Sequence, residues 1–214
     1  MKSISVIIRC RNEEEHIGLT IQSVIDHFEN PEIIIIDNQS TDESMKVVSL
    51  FDRHDIRKYS LNGNYTPGKA LNFGVKKANN DTILILSAHS QITDINKDWI
   101  EKDLNNHVAV FGNQTPIYKG KKISKRYIWS HFTKIRHQNL YSKIEDRYFL
   151  HNAFCFYKRD FLLENPFNED LSGKEDRYWA IDIVKKGYTY LYDGVYQKCN
   201  HYWTSNGATW KGIG

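Results

Sequence analysis

Cysteine is scarce and unpaired in this chain: Cys10, Cys155 and Cys199 lie far apart and form no C-x-x-C pair. That excludes a disulfide scaffold and a zinc knuckle, and the three thiols read as reduced groups of a cytosolic protein. No apolar run approaches the ~20 residues of a membrane span. Strand-like sequence starts within two residues of Met1, so no signal peptide is expected. Charge of one sign is also lacking. Twenty-nine Lys and Arg against 26 Asp and Glu leave a net +3, which carries no nucleic-acid signature. Glycine is missing where phosphate-cradling folds need it. Arg9-Cys10-Arg11-Asn12, after the first apolar run, has none, and no G-x-x-x-x-G-K-[ST] occurs. A glycine-rich dinucleotide turn and a P-loop are thereby excluded. Any nucleotide must be held by side chains at strand ends.

What is present points to an α/β protein. The 214 residues suffice for one substantial core, and the 13% aromatic content, chiefly 13 Tyr and 10 Phe, suits contact with sugar or base rings. Residues 32–44 read Glu-Ile-Ile-Ile-Ile-Asp-Asn-Gln-Ser-Thr-Asp-Glu-Ser. Four consecutive isoleucines fit a strand buried on both faces. Ser40-Thr41-Asp42-Glu43 has the form of a helix capping box. Asp37 therefore stands at the carboxyl end of a buried strand, where open α/β sheets bind ligands. Strand 3–9 and helix 13–28, with Asn12 as N-cap, precede it. Helix 41–53, a strand at 56–60, helix 68–79 and strand 82–86 follow. This alternation predicts a central mixed, mainly parallel sheet flanked by helices.

The second half predicts helix 94–106, strand 107–112, strand 151–157, a helix opening near Gly173 and closing at Lys185-Lys186-Gly187, and strands 188–193 and 195–201. Between them, residues 119–138 carry seven Lys or Arg and no acid, interleaved with Tyr127, Trp129 and Phe132. Such a stretch can meet an anionic lipid surface or stand as a solvated helix. No repeat or linker appears, so residues 1–214 are expected to form a single domain, with 1–112 as the nucleotide-binding half and 113–214 as the acceptor-binding, catalytic half.

Four segments, "SVIIRCRNEEEHIGLTIQSV", "EIIIIDNQSTDES", "GKALNFGVKKANNDTILIL" and "GKEDRYWA", stand in an order and spacing that resembles glycosyltransferase family 2, the inverting nucleotide-sugar transferases of GT-A fold. The resemblance runs nearly the length of the chain. It implies that Arg9, Arg11 and Glu13 edge the base and ribose, that Asp37 accepts a base N–H, and that Lys69 and Asn72 lie across the nucleotide. A carboxylate accepts only, which suits an imide such as that of uracil. The plainer reading of Asp37 is a turn cap.

The resemblance breaks at Ser87-Ala88-His89, where the family usually carries Asp-x-Asp holding Mn²⁺ or Mg²⁺. Imidazole suits Mn²⁺ better than hard Mg²⁺, so a modified Mn²⁺ site on His89, with His201 as a further ligand, is the expected cofactor. Direct donation from His89 to the diphosphate without metal, and a core role for His201, stay open. The resemblance makes Asp176 the general base and Glu175 its supporting carboxylate, with Tyr178 and Trp179 offered to the acceptor. It implies a nucleotide-sugar donor, UDP- or dTDP-linked, and a glycan or lipid-linked glycan acceptor in bacterial surface polysaccharide or glycolipid synthesis. The expected setting is cytoplasmic, with peripheral contact at the inner membrane face through 119–138 and no nucleic-acid partner. A catalytically silent GT-A domain that binds nucleotide or glycan is the alternative, and a nucleotidyltransferase is disfavoured by the missing glycines.

Overall fold

A computed structural model describes residues 3–61, 63–122 and 127–204. The first half is built from β1 (Ser5–Cys10), α1 (Ile17–His27), β2 (Glu32–Asp37), α2 (Ser44–Ser49), β3 (Ile56–Ser60), α3 (Pro67–Lys77) and β4 (Thr82–Ser87). Its strands lie in the order β3-β2-β1-β4, all parallel. The isoleucine run is buried on both faces, as its composition requires. Ile34 and Ile36 join Ala70, Leu71 and Val75 of α3, while Ile33 and Ile35 join Ile17, Ile21 and Val24 of α1 on the other side. Burying four such side chains contributes on the order of 10 kcal/mol before conformational entropy is counted.

The second half adds β5 (Ser90–Asp94), α4 (Lys97–Asn106), β6 (Ala109–Tyr118), β7 (Lys121–Lys122), a 3₁₀ turn (Tyr127–His131), β8 (Arg136–Gln138), β9 (Tyr141–Ser142), β10 (Arg147–Tyr148), β11 (Phe154–Lys158), α5 (Arg159–Glu164), α6 (Glu175–Lys185) and β12 (Tyr190–Tyr202). The sheet continues β4-β11-β6-β12-β5. Strand β11 runs antiparallel to both neighbours, and β6 and β12 are parallel. The sheet is thus mixed. Its parallel edge ends at Cys10, Asp37 and Ser87, and there Cys10 pairs with Asp37 and Arg9 with Ser87.

Several local expectations are corrected. Neither Asn12 nor Ser40 caps a helix. Asn12 adopts φ 53° and its Oδ1 accepts the Thr41 N–H at 2.7 Å, while Ser40 Oγ accepts the Asn12 N–H at 3.0 Å. These polar side chains cross-link the two strand-to-helix loops, so α1 and α2 start later than propensity predicts. Asp94, expected to open a helix, is the last residue of β5, and Asn96 caps α4 by accepting the Trp99 N–H. The two strands expected at 188–201 are one bulged strand, where Asp193 Oδ1 accepts the N–H groups of Val195 and Tyr196, both at 3.0 Å. Within 119–138, Trp129 and Phe132 are core residues, and Arg136 pairs with Asp103. Those aromatics are therefore not a lipid-facing row. Residues 123–126 lie outside the described residues, as does the side chain of Tyr127.

Candidate active site

At the end of β4, Ser87 and His89 stand where the chain turns into β5. His89 Nδ1 is 2.9 Å from Glu13 Oε1. A carboxylate only accepts, so Nδ1 carries a proton, and Nε2 lies 3.1 Å from the Ser87 hydroxyl. Glu13 is buried, and its backbone N–H donates to Ser44 Oγ at 2.7 Å. Its second oxygen, Oε2, is buried without a hydrogen-bond partner. The imidazole of His201, from β12, lies 5.0 Å from that of His89, and His151 lies 5.8 Å from His201. Gln114 of β6 sits between the latter two, with Oε1 2.8 Å from His201 Nδ1 and Nε2 3.2 Å from His151 Nδ1. Burial holds His201 and His151 well below the usual imidazole range, and the neighbouring rings and Arg177 push the same way.

The acid pair opens α6, after Lys174 in the left-handed region at φ 60°. The helix dipole favours negative charge in this turn. Asp176 is held by three donors. Its Oδ2 accepts the Asn152 N–H at 3.0 Å and Arg177 Nη1 at 2.8 Å, and its Oδ1 accepts the Arg177 N–H at 2.8 Å. Arg177 is itself buried. It donates to the Leu150 carbonyl and lies 4.3 Å over the Phe149 ring. Glu175 has looser company, with Oε1 3.5 Å from Arg9 Nη2 and 3.5 Å from Asn152 Nδ2. Its carboxyl is raised above the ordinary range, chiefly by burial. Arg9 opposes that shift and Asp176 adds to it.

The remaining expected residues divide. Arg9 is on the acid side of the site, between Glu175 and the Tyr65 hydroxyl at 3.3 Å. Arg11 is exposed beside it in sequence, and Lys69 is half-buried in the first turn of α3, with no ion pair among the described residues. Asp37 accepts from both the N–H and the hydroxyl of Ser40, the latter at 2.6 Å. It does cap its turn, and unfilled lone pairs remain on the carboxylate. Asn72, expected across the nucleotide, spends its side chain on the protein. It is buried, its Nδ2 donates to the Phe167 carbonyl (2.8 Å) and Glu169 Oε1 (3.0 Å), and its Oδ1 accepts the Phe167 N–H (3.0 Å). This ties α3 to the loop that leads into α6. The same close approach explains Gly68, where a Cβ would come within 2.3 Å of the Asn168 carbonyl. Trp179 is also corrected: it is buried, packs against Tyr157 and Phe167, and donates to the Asn165 carbonyl at 2.8 Å. Tyr178 is 43% exposed, with the Arg147 guanidinium 6.0 Å from its ring.

Sequence reasoning passed over Gln114, Asn152 and His151, which sit in strands or just before one without any local motif. Arg177 adjoins the acid pair, and its cationic head beside two carboxylates was a readable signal. Next to Glu13, a cavity of about 610 Å³ is bounded by Glu14, Glu15, Asp42, Tyr118 and Tyr202. Carboxylates and aromatic faces together suit sugar hydroxyls and rings better than an anion.

Among the described residues no group of three or more His, Cys, Asp or Glu side chains forms a metal cluster. Two imidazoles have their Nδ1 atoms engaged by Glu13 and Gln114, the outer-sphere pattern of metal-binding histidines. They would leave most positions of a divalent ion such as Mn²⁺, which favours oxygen donors, to substrate oxygens.

Comparison with known proteins agrees with this fold. The S. aureus TarS 1–349 complex with UDP-GlcNAc superposes with a TM-score of 0.70 at 20% identity, over 96% of this chain and 60% of that one. GalNAc-T7 with UDP, GalNAc and Mn²⁺ superposes with a TM-score of 0.72 at 14% identity, over 97% of this chain and 45% of the other. These likenesses show the GT-A fold. In sequence, the chain is 26% identical over 193 residues to the poly-β-1,6-N-acetyl-D-glucosamine synthase of Staphylococcus epidermidis, covering 86% of this chain and 43% of that protein. It is 27% identical over 202 residues to the GalNAc(5)-diNAcBac-PP-undecaprenol β-1,3-glucosyltransferase of Campylobacter jejuni, covering 90% and 63%. The chain thus spans about two fifths to two thirds of the length of these relatives. Among the described residues, no helix is long and apolar enough to cross a membrane. The model of glycosyl transferase family 2 matches residues 5–165, most of the chain, and the chain belongs to that family.

Proposed function

We propose that this chain moves a sugar from a UDP- or dTDP-linked donor to a hydroxyl of a glycan or lipid-linked glycan, with inversion at the anomeric carbon, in bacterial surface polysaccharide or glycolipid synthesis. The observation that carries the reading is the buried Glu175–Asp176 pair, joined by Arg9 to the carboxyl end of the parallel strands. Asp176 is the proposed base. Three N–H donors fix its carboxylate and leave a lone-pair site on Oδ1 for the acceptor hydroxyl. As the acceptor oxygen bonds to the anomeric carbon, the bond to the diphosphate oxygen breaks on the opposite side, and the hydroxyl proton passes to the carboxylate. Inversion follows from that single displacement. Glu175 orients the acceptor, and exposed Tyr178 offers it a ring face.

Asp37 and Arg11 are assigned to the base, Lys69 to the diphosphate, and Glu13 with Ser87 to the donor side of the cleft. His89 and His201 would hold Mn²⁺, which when bound neutralises charge on the departing diphosphate. Relatives and neighbours support these finer points through what they bind: UDP-GlcNAc in TarS, and Mn²⁺ in GalNAc-T7 and in the Pyrobaculum calidifontis mannosyltransferase. The unusual Ser87-Ala88-His89 is the observation that favours a second reading, a GT-A domain that binds donor without transferring it.

One assay separates the two. The chain is screened for melting shifts with UDP-, dTDP-, GDP- and CMP-sugars, with Mn²⁺ or with excess chelator, and the same mixtures are assayed for released nucleoside diphosphate. Stabilisation by a UDP- or dTDP-sugar together with Mn²⁺-dependent release supports the transferase. Stabilisation without release above background supports the silent domain. Full release in excess chelator removes the metal.

A further inference from the structure

Gln114 lies between two histidines that belong to the site just described, and its amide can face them only one way. The backbone N–H of Ala153 donates to His151 Nδ1 at 3.2 Å. A backbone N–H cannot accept, so His151 Nδ1 bears no proton, and in the neutral ring the proton is on Nε2. The Gln114 group 3.2 Å from that same bare Nδ1 must then be its NH₂, because a carbonyl there would set two acceptors against each other. This orientation follows from the network and is independent of how an amide is drawn. With the NH₂ toward His151, the carbonyl of Gln114 points at His201 Nδ1, 2.8 Å away. An acceptor at that distance requires Nδ1–H on His201, which leaves His201 Nε2 as a bare lone pair. Among the described residues no hydrogen bond occupies Nε2 of either ring, and neither atom is a sealed, unpartnered group.

We propose that Gln114 is a positioning residue that holds two neighbouring imidazoles in opposite tautomers, His201 with a bare Nε2 and His151 with a protonated Nε2. The inference deepens the transferase reading and rests on it for its purpose. A bare Nε2 accepts a divalent cation, and a protonated Nε2 donates to an anionic oxygen. The ring centroids are 5.8 Å apart, so the two imidazoles are close neighbours. Gln114 is nearly inaccessible, at 2% exposure, so water does not compete for its amide. The relay starts from a backbone N–H in β11's approach and ends on β12, which makes it a property of the packed sheet.

The test is ¹⁵N NMR of the histidine-labelled chain at neutral pH, with His151 and His201 assigned from His151→Gln and His201→Gln, followed by calorimetric titration with Mn²⁺ alone. The expected result is His201 as the Nδ1–H tautomer and His151 as the Nε2–H tautomer. In Gln114→Met, which keeps the side-chain length but has no strong acceptor, His201 should lose its Nδ1–H preference, and Mn²⁺ affinity should fall about 10- to 100-fold. Gln114→Glu restores an acceptor for His201 and should keep its tautomer, which guards against misreading a folding defect in the methionine variant. Finding His201 as Nε2–H in the parent chain, or unchanged tautomers in Gln114→Met, overturns the proposal. The expected tautomers with no Mn²⁺ binding uphold the role of Gln114 and remove the metal from the transferase reading.

Discussion

Arg9 Nη2 lies 3.5 Å from Glu175 Oε1, and this contact joins the end of the first strand to the first turn of the helix that bears the acid pair. Burial raises the Glu175 carboxyl and Arg9 holds that rise in check. Arg9→Gln removes the check, so Glu175 keeps its proton to higher pH. The acid limb of the pH–rate profile for sugar transfer should move upward, by on the order of one pH unit for the loss of an adjacent opposite charge. Glu175→Gln should erase the effect of the Arg9 change. A limb that stays in place in Arg9→Gln would show that Glu175 does not govern it.

Asp176→Asn keeps the shape of the side chain and removes its capacity to take a proton. Transfer should fall by about 10²- to 10⁴-fold, while the melting shift produced by nucleotide-sugar stays close to that of the parent. Glu175→Gln should cost less in rate and more in acceptor KM. Near-normal turnover of Asp176→Asn would move the base elsewhere, with Glu175 next in line because its carboxylate is less engaged.

Much of the fold was legible because β2 announces itself: four isoleucines leave no polar face, and only a two-layered covering satisfies them. The acid pair was legible through position, standing just after a glycine-lysine lead and opening a helix. What escaped has a common physical cause. Asn12, Ser40, Asn72 and Gln114 each place a polar group on a partner 28 to 97 residues away, and no local pattern encodes such a partner. Only the family resemblance of its segment assigns Asn72 to the nucleotide, and that resemblance says nothing of where its amide finds partners. Trp179 looked like a sugar platform until α6 proved to pack it against Tyr157 and Phe167.

Asn72 therefore carries a stability prediction. Both polar atoms of its side chain are used on the Phe167 backbone and Glu169, in a buried setting. Asn72→Ala strands the Phe167 N–H and carbonyl without partners, which costs about 2–4 kcal/mol by the usual penalty for buried unsatisfied groups. Asn72→Asp retains the acceptor for the Phe167 N–H but sets a buried carboxylate oxygen against the Phe167 carbonyl and Glu169, so it should cost at least as much as alanine. Urea midpoints give the comparison. Since the residue holds the loop into α6, the alanine variant should also lower transfer rate more than it raises donor KM. A loss confined to donor affinity would return Asn72 to the nucleotide.

Acid should destabilise the metal-free chain earlier than carboxylate chemistry alone demands. His151 and His201 are buried as neutral rings, and their folded pKa values lie below the unfolded value. Between the two values the unfolded state binds the extra proton, so stability rises with pH there. The contribution is full above about pH 6.5 and is lost as pH falls below it. Each ring contributes a slope of up to about 1.4 kcal/mol per pH unit in that window. Glu175, raised by burial, has the opposite sign, so acid relieves its strain. Single variants isolate the histidines from it. Urea unfolding in chelator at pH 7.5, 6.5 and 5.5 should show falling stability, and His151→Gln should flatten the fall by about half. An unchanged slope in that variant would mean that His151 is already charged in the folded chain, and its neutral, burial-enforced state would be wrong.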